Sequence, residues 1–341
     1  MALRLIVTFL TFGIVAFTSA AGTHTLVVLS HNDHTAYELD PASGKILRSF
    51  KAIDQPHEGV VSADGKTVFV AVPNGPVVSI LDAATFKETS RIETPLFRRT
   101  PRRPANAAPD APPQTSASPH GVALTNDGSK LYIGLENADV PGVVVYDVKT
   151  RQVIKKIDLV LNGGHYLAIQ PGTDKLYYPH RNDDRVVVLD TKTDRILKVI
   201  AVKGGPVGVA FRPNGEVWLH EDGDGSVTVV NSTSDEVVAV IPTGGKGAGR
   251  IAVSPDGAYA ASTHSGSGDV ALIETASRQV VASVPLGKGP GFPLFSPDST
   301  TLYVMNSGEG DVAVIDVAAR KVTARHKVGV NPFGGAVRLT P

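Results

Sequence analysis

Ten histidines and no cysteine set the chemical repertoire of this 341-residue chain. Without cysteine there is no thiolate nucleophile, no disulfide and no zinc–thiolate site. Imidazole is what remains, as a metal ligand or as an acid–base group. Three histidines, His57, His120 and His165, each stand seven residues before a turn position, held by Asp64, Asp127 and Gly172. Four more, His31, His180, His220 and His264, fall at the ends of apolar runs, and His34 follows close behind His31. Zinc or copper takes three or four such ligands at about 2.0–2.1 Å. Neighbouring carboxylates add a ligand or orient a ring, and Glu58, Glu136 and Glu221 are placed to do so. The chain carries no HExxH, no GxSxG and no SxxK, so any site is one of position rather than of local motif. Ser265, beside His264, reads as a loop residue.

Residues scattered over more than two hundred positions meet only if the fold gathers them. Seven markers, Asp40, Asp82, Asp147, Asp190, Asn231, Glu274 and Asp316, recur at gaps of 42, 65, 43, 41, 43 and 42. Each closes an alternating apolar run such as VVSILD, VVVYD or VAVID. A period near 42 with period-two alternation predicts one four-stranded blade per repeat and a seven-bladed β-propeller. Turns such as SADGK, TNDGS and RPNGE separate first from second strands, because Asp-Gly and Asn-Gly tolerate positive φ. Seven first strands begin near His57, His120, His165, Val207, Gly249, Gly291 and Phe333. The chain opens on a second strand and finishes on a lone first strand, FGGAV, so the C-terminus is expected to complete the N-terminal blade.

Propeller topology turns register into place. First strands line the central shaft, and fourth-to-first and second-to-third connections share a face. His57, His120 and His165 therefore start the innermost strands of three consecutive blades. His31, His34, His180, His220 and His264 enter loops on the same face. The expected metal set is His57, His120, His165, His31, His180, His220 and His264, for a divalent transition metal, zinc or copper. His57 and His165 are two blades apart and share an ion only if the shaft is narrow at that level. Separate rings, each satisfied by its own loop, are the structural alternative.

The stretch Leu302–Asn306, LYVMN, followed by GDVAVID, resembles the YVTN-type β-propeller repeat, and PHGVALTNDG and GRIAVSPDG are variants of it. WD40 repeats fit less well, with Trp218 the sole tryptophan and no Trp-Asp pair. The YVTN resemblance implies seven blades and frequent export. It does not imply one activity, since such propellers include surface-layer, periplasmic and lactonase-like proteins.

Met1–Arg4, the apolar run Leu5–Phe17 and the small residues Thr18–Ala21 match a secretory signal peptide cut after Ala20 or Ala21. The run is short for a membrane span, and no cysteine follows to take a lipid. Residues 22–341 are then one propeller domain, periplasmic or secreted, without a membrane span. Lys plus Arg and Asp plus Glu balance at 33 each, which argues against a general nucleic-acid surface. The 65-residue gap reflects an insertion of 23 residues, and the Pro- and Arg-rich stretch 95–118 fills it on the histidine face. That stretch reads as a solvated loop; its Arg98, Arg99, Arg102 and Arg103 also suit a docking arm for an acidic partner. The hairpins HEDGDGS and HSGSGDV faintly resemble Ca²⁺ loops but lack a full ligand set, and read as tight turns. The function expected is a binding module, holding a metal or a ligand through it, with a periplasmic protein as a partner. The alternatives are a metal-assisted lactonase or lyase, or an interaction scaffold.

Overall fold

The computed structural model describes residues 24–52, 54–102, 114–116, 118–136 and 141–339. The expected signal peptide, residues 1–21, lies outside the described residues.

Seven four-stranded antiparallel sheets account for the repeats. Blade 1 is the composite one. Its inner strand is Pro332–Leu339, followed outward by His24–Ser30, Thr35–Leu39 and Ile46–Lys51. Blades 2 to 7 begin with inner strands Gly59–Val61, Ser118–Leu124, Ala168–Ile169, Pro206–Phe211, Ile251–Val253 and Pro290–Phe295. The C-terminal strand closes the ring by pairing His24 with Leu339 through Leu29 with Gly334. A buried ion network fastens this seam. Arg338 Nη1 donates to Glu38 at 2.8 Å, Thr25 Oγ1 donates to the same oxygen at 2.8 Å, and Arg338 Nε reaches the Gly65 carbonyl of blade 2 at 3.1 Å.

The periodic markers have a local cause. Each ends or follows a third strand, and the short side chain accepts from the turn ahead: Asp82 from Thr85 N at 2.7 Å, Asp147 from Thr150 N at 2.6 Å, Asn231 from Thr233 N at 2.9 Å. Four residues past the marker the chain turns left-handed, at Gly44, Phe86, Arg151, Asp194, Asp235, Arg278 and Arg320. Side-chain capping of this kind is what makes Asp and Asn recur there.

Packing lies between blades. Leu29 and Ala36 of blade 1 meet Val68, Val70 and Leu81 of blade 2. Trp218 of blade 5 is fully buried against Ala260 and Ile273 of blade 6. Polar clasps add to this: Lys175 Nζ and Tyr177 Oη of blade 4 reach Asp235 of blade 5 at 2.8 and 3.0 Å, and Lys130 of blade 3 reaches Asp194 of blade 4 at 3.0 Å. Between blades 5 and 6 the charges swap, with Arg278 donating to Glu216 at 2.8 Å.

The inserted segment leaves blade 2 through a short 3-10 turn, Pro95–Phe97, whose Phe97 is buried in the blade 2–3 core. Its ends, Arg98–Arg102 and Gln114–Ser116, pair as a two-stranded ribbon, an element the sequence pattern did not predict. Residue 103 and the rest of its tip lie outside the described residues. Among the described residues, no helix is long and apolar enough to cross a membrane.

Candidate functional site

The innermost strands bring their entrance residues to one end of the shaft. His57 and His120 have ring centroids 3.9 Å apart, and His120 and His165 lie 4.1 Å apart. His57 and His165 are separated by 6.3 Å, so the shaft is narrow enough for blades 2 and 4 to share a site across blade 3. His31 joins from blade 1, 4.7 Å from His57, and stacks on Phe333 at 4.6 Å.

Close approach requires glycine at the neighbouring positions. A Cβ on Gly121 would come within 2.8 Å of the His165 carbonyl and 3.3 Å of Glu58 Oε2, and one on Gly334 would meet the His57 carbonyl at 2.0 Å. Any larger residue there would push the ring of strands apart.

Glu58 occupies the centre. Its side chain is 1% exposed, and Oε1 lies 3.8 Å from His57 Nδ1, 3.6 Å from His120 Nδ1 and 4.0 Å from His165 Nδ1. These are contacts beyond hydrogen-bond length. Both Glu58 oxygens and the Nδ1 atoms of His57 and His120 are buried without a hydrogen-bond partner among the described residues, as is His31 Nε2. On the far side, His120 Nε2 faces Glu136 Oε2 at 3.4 Å, and Glu136 is held by Arg181 at 3.3 Å. Among the described residues, two donor sets could hold a metal ion: His57, Glu58 and His120, and His120, Glu136 and His165, each with ligand atoms within 4.8 Å of one another.

A buried arginine borders the cluster. Arg250 Nη2 approaches His165 Nδ1 at 3.2 Å and Glu58 Oε1 at 3.7 Å, while Nη1 donates to the Gly249 carbonyl at 2.9 Å. Its guanidinium lies 5.6 Å from the Phe333 ring centroid. Burial holds His57, His120 and His165 well below the usual imidazole range, with Arg250 and neighbouring rings adding to the depression. Burial brings His31 down to about 4 and pushes Glu58 up to about 8, the latter against the pull of Arg250. The rings are therefore neutral at pH 7, the protonation state that a metal requires of imidazole.

The remaining expected ligands do not join this cluster. His180 packs its ring on Tyr178 at 4.5 Å within blade 4. His220 Nδ1 pairs with Ser262 Oγ at 2.9 Å. His264 Nε2 lies 2.9 Å from Thr243 Oγ1 and 3.2 Å from the Gly225 carbonyl. His34 pairs with Asp54 at 3.2 Å. Glu221 is buried in blade 5, its carboxyl raised to about 8 by desolvation. The Gly-rich hairpins are turns, with Gly225 and Gly268 at φ of 70° and 75° and Asp224 capping Ser226 N at 2.9 Å.

Sequence reasoning missed Arg250, Arg181 and the role of Phe333. A signal for Arg250 existed. The position after the histidine register reads Glu58, Gly121, Tyr166, Gly208, Arg250, Phe292 and Gly334, and two charges on strands that line a shaft are unusual enough to mark a site.

No protein-family model matches the chain, and no curated protein matches it. Solved structures do. A structure of Kuenenia stuttgartiensis hydrazine synthase aligns at TM-score 0.69 and 23% identity, over 82% of this chain and 88% of that one. A functionally unknown protein from Desulfotomaculum acetoxidans DSM 771 aligns at TM-score 0.75 and 13% identity, over 93% and 99%. The dihydro-heme d1 dehydrogenase NirN in complex with DHE aligns at TM-score 0.63 and 16% identity, over 89% of this chain but 64% of that one, so this chain spans less than two thirds of it. At these identities the likeness is one of fold, and it supports the β-propeller assignment.

Proposed function

We propose that this chain is an exported, YVTN-type propeller binding module whose shaft mouth holds a divalent transition metal, zinc or copper, or a ligand through it. The proposed ligands are His57, Glu58 and His120, or His120, Glu136 and His165, with His31 outside both sets. One observation carries the reading: imidazole nitrogens from separate blades converge on Glu58, and among the described residues both its oxygens and Nδ1 of His57 and His120 have no hydrogen-bond partner. Native proteins rarely leave such atoms unpaired, because each costs about 1–3 kcal/mol. A bound ion would satisfy several at once and act there as a Lewis-acidic anchor. Export rests on the signal-like residues 1–21, and a periplasmic partner protein fits the Arg-bearing ribbon on the same face. The test is metal analysis and zinc or copper titration of tag-free protein. One equivalent bound, and lost in His120→Ala, supports the module; a chain inert to both metals leaves an interaction scaffold.

A second reading, a metal-assisted lactonase or lyase at the same mouth, is favoured by the pairing of Glu58 and Arg250. A carboxyl raised to about 8 is tuned near working pH for proton transfer, and a buried guanidinium stabilises developing negative charge. Equal lactone hydrolysis by wild type and His120→Ala would reject it.

A further inference from the structure

The shaft mouth has two unlike halves. Blades 2 to 4 present histidines, whereas blades 6 and 7 present Gly249 and Gly291 in the same register. The missing side chains leave a cleft of about 90 Å³ beside Arg250, lined also by Ser265, Pro290, Phe292 and Phe333. One water needs about 10–15 Å³ on the same measure, so the cleft takes several atoms of a small ligand. Its walls are apolar apart from Ser265, Ser307 and the arginine.

Arg250 is 5% exposed, and its Nε has no hydrogen-bond partner among the described residues. Nη1 is taken by the Gly249 carbonyl and Nη2 faces His165. Nε is shielded, but Nη1 and Nη2 each carry two N–H groups and so keep one beyond these contacts. An arginine lining a small, largely apolar cleft suits a planar anion.

We propose that this cleft is a subsite for a short-chain carboxylate, of the size of formate or acetate, received by Arg250. The planar carboxylate matches the guanidinium edge, and its alkyl end meets Phe292, Pro290 and Phe333. Phe333 joins the two halves, stacked on His31 and lying under Arg250. The subsite deepens the metal reading and rests on it for one feature, the charge balance. Arg250, Arg181 and a divalent ion outweigh the carboxylates of Glu58, Glu136 and Asp222 that face them. A monoanion cancels the excess. Metal and carboxylate should therefore bind with positive coupling, each raising the affinity of the other by the same factor.

The experiment is calorimetric titration with sodium acetate in chloride-free buffer, on chelator-treated protein and on zinc-loaded protein, with sodium sulfate as the tetrahedral comparison. Acetate is expected to bind more tightly than sulfate, and more tightly to the zinc-loaded form. Arg250→Gln should weaken it by about 10- to 100-fold, the worth of a charged hydrogen bond. Gly291→Val keeps the arginine and fills the cleft. Its backbone accepts a side chain, since an added Cβ meets nothing nearer than 3.5 Å. It should abolish acetate binding while zinc still binds, which guards against misfolding of the arginine variant. A chain that takes no zinc but takes acetate through Arg250 ends the metal reading and keeps the subsite. Acetate binding absent from both forms, or untouched by both variants, overturns the subsite whatever zinc does.

Discussion

His57, His120 and His165 at the shaft mouth and His220 and His264 inside blades 5 and 6 are both buried groups of imidazoles, yet they are built differently. The second pair is half provided for: one nitrogen of each ring is bonded, while His220 Nε2 and His264 Nδ1 face Asp222 and Asp269 at 3.6 and 3.5 Å without a hydrogen bond among the described residues. His220 has Ser262 at 2.9 Å, and His264 has Thr243 at 2.9 Å and the Gly225 carbonyl at 3.2 Å. Their ring centroids stand 5.6 Å apart, and both serve the interface between blades 5 and 6. The mouth cluster has rings within about van der Waals contact, a carboxyl at its centre, and nitrogens left unpaired. Burial alone does not distinguish a functional histidine from a structural one. What distinguishes them is convergence: three mouth rings from separate blades meet around one carboxyl, whereas His220 and His264 each keep a nitrogen bonded to a neighbouring hydroxyl.

The contrast can be broken by substitution. His120→Ala, which removes the ring common to both donor sets, should lower zinc or copper affinity by at least the ~10- to 100-fold that even supporting groups contribute. Folding stability should fall by less than in His264→Ala, since packing is lost but the carboxylate contacts of His120, at 3.4 and 3.6 Å, are long. His264→Ala should do the reverse. Metal affinity should stay within about twofold, while stability should fall by about 2–4 kcal/mol, because a well-packed ring is lost together with its contacts to Thr243 and the Gly225 carbonyl. Urea midpoints and metal titrations on the same preparations separate the two. If His264→Ala abolished metal binding, the division into two classes would fail.

pH sharpens the comparison. The mouth histidines have folded pKa values below the ordinary 6.5, so they bind fewer protons folded than unfolded, and their contribution to stability rises with pH up to about that value. Glu58 and Glu221 are raised from 4.5 to about 8, so they hold protons in the folded state that the unfolded chain has released. Their contribution is complete below 4.5 and declines until pH 8. With more histidines than raised carboxyls, metal-free protein should be most stable near pH 6.5, which denaturation at half-unit steps would locate. Glu58→Gln should flatten the alkaline decline, and saturating zinc should reverse it, because the ion prefers the carboxylate. The smallest effect belongs to His326, on the outer strand of blade 7, where Nε2 meets the Pro41 carbonyl at 2.9 Å. His326→Gln should cost about 0.5–1 kcal/mol, with metal binding unmoved.

The fold was open to reading because its repeat is written in turn chemistry. Asp82, Asp147 and Asn231 cap their own turns, so their spacing reports blade length directly. The first-strand histidines were equally accessible, since strand order alone places His57, His120 and His165 at the shaft. Register could not foretell the fate of His180, His220 and His264. The ends of second strands face the interfaces between blades as well as the loops, and a single residue decides the direction. His31 stands one residue beyond its strand and reaches the mouth, whereas His180 and His264 are the last strand residues and turn inward. Arg250 escaped because a lone arginine has no periodicity; only its register beside Gly249 marks it. The ribbon Arg98–Arg102 with Gln114–Ser116 was hidden by proline, which removes the alternation that signals a strand.

The central claim is that the mouth cluster is a metal site. Zinc titration of tag-free, chelator-treated protein, followed by calorimetry beside a His57→Ala/His120→Ala/His165→Ala triple variant, tests it most directly. The account predicts one zinc per chain in the wild type, with proton release as Glu58 ionises, and none in the triple variant at the same concentrations. Wild-type protein that takes no zinc or copper, or a triple variant that still takes one equivalent, would contradict it.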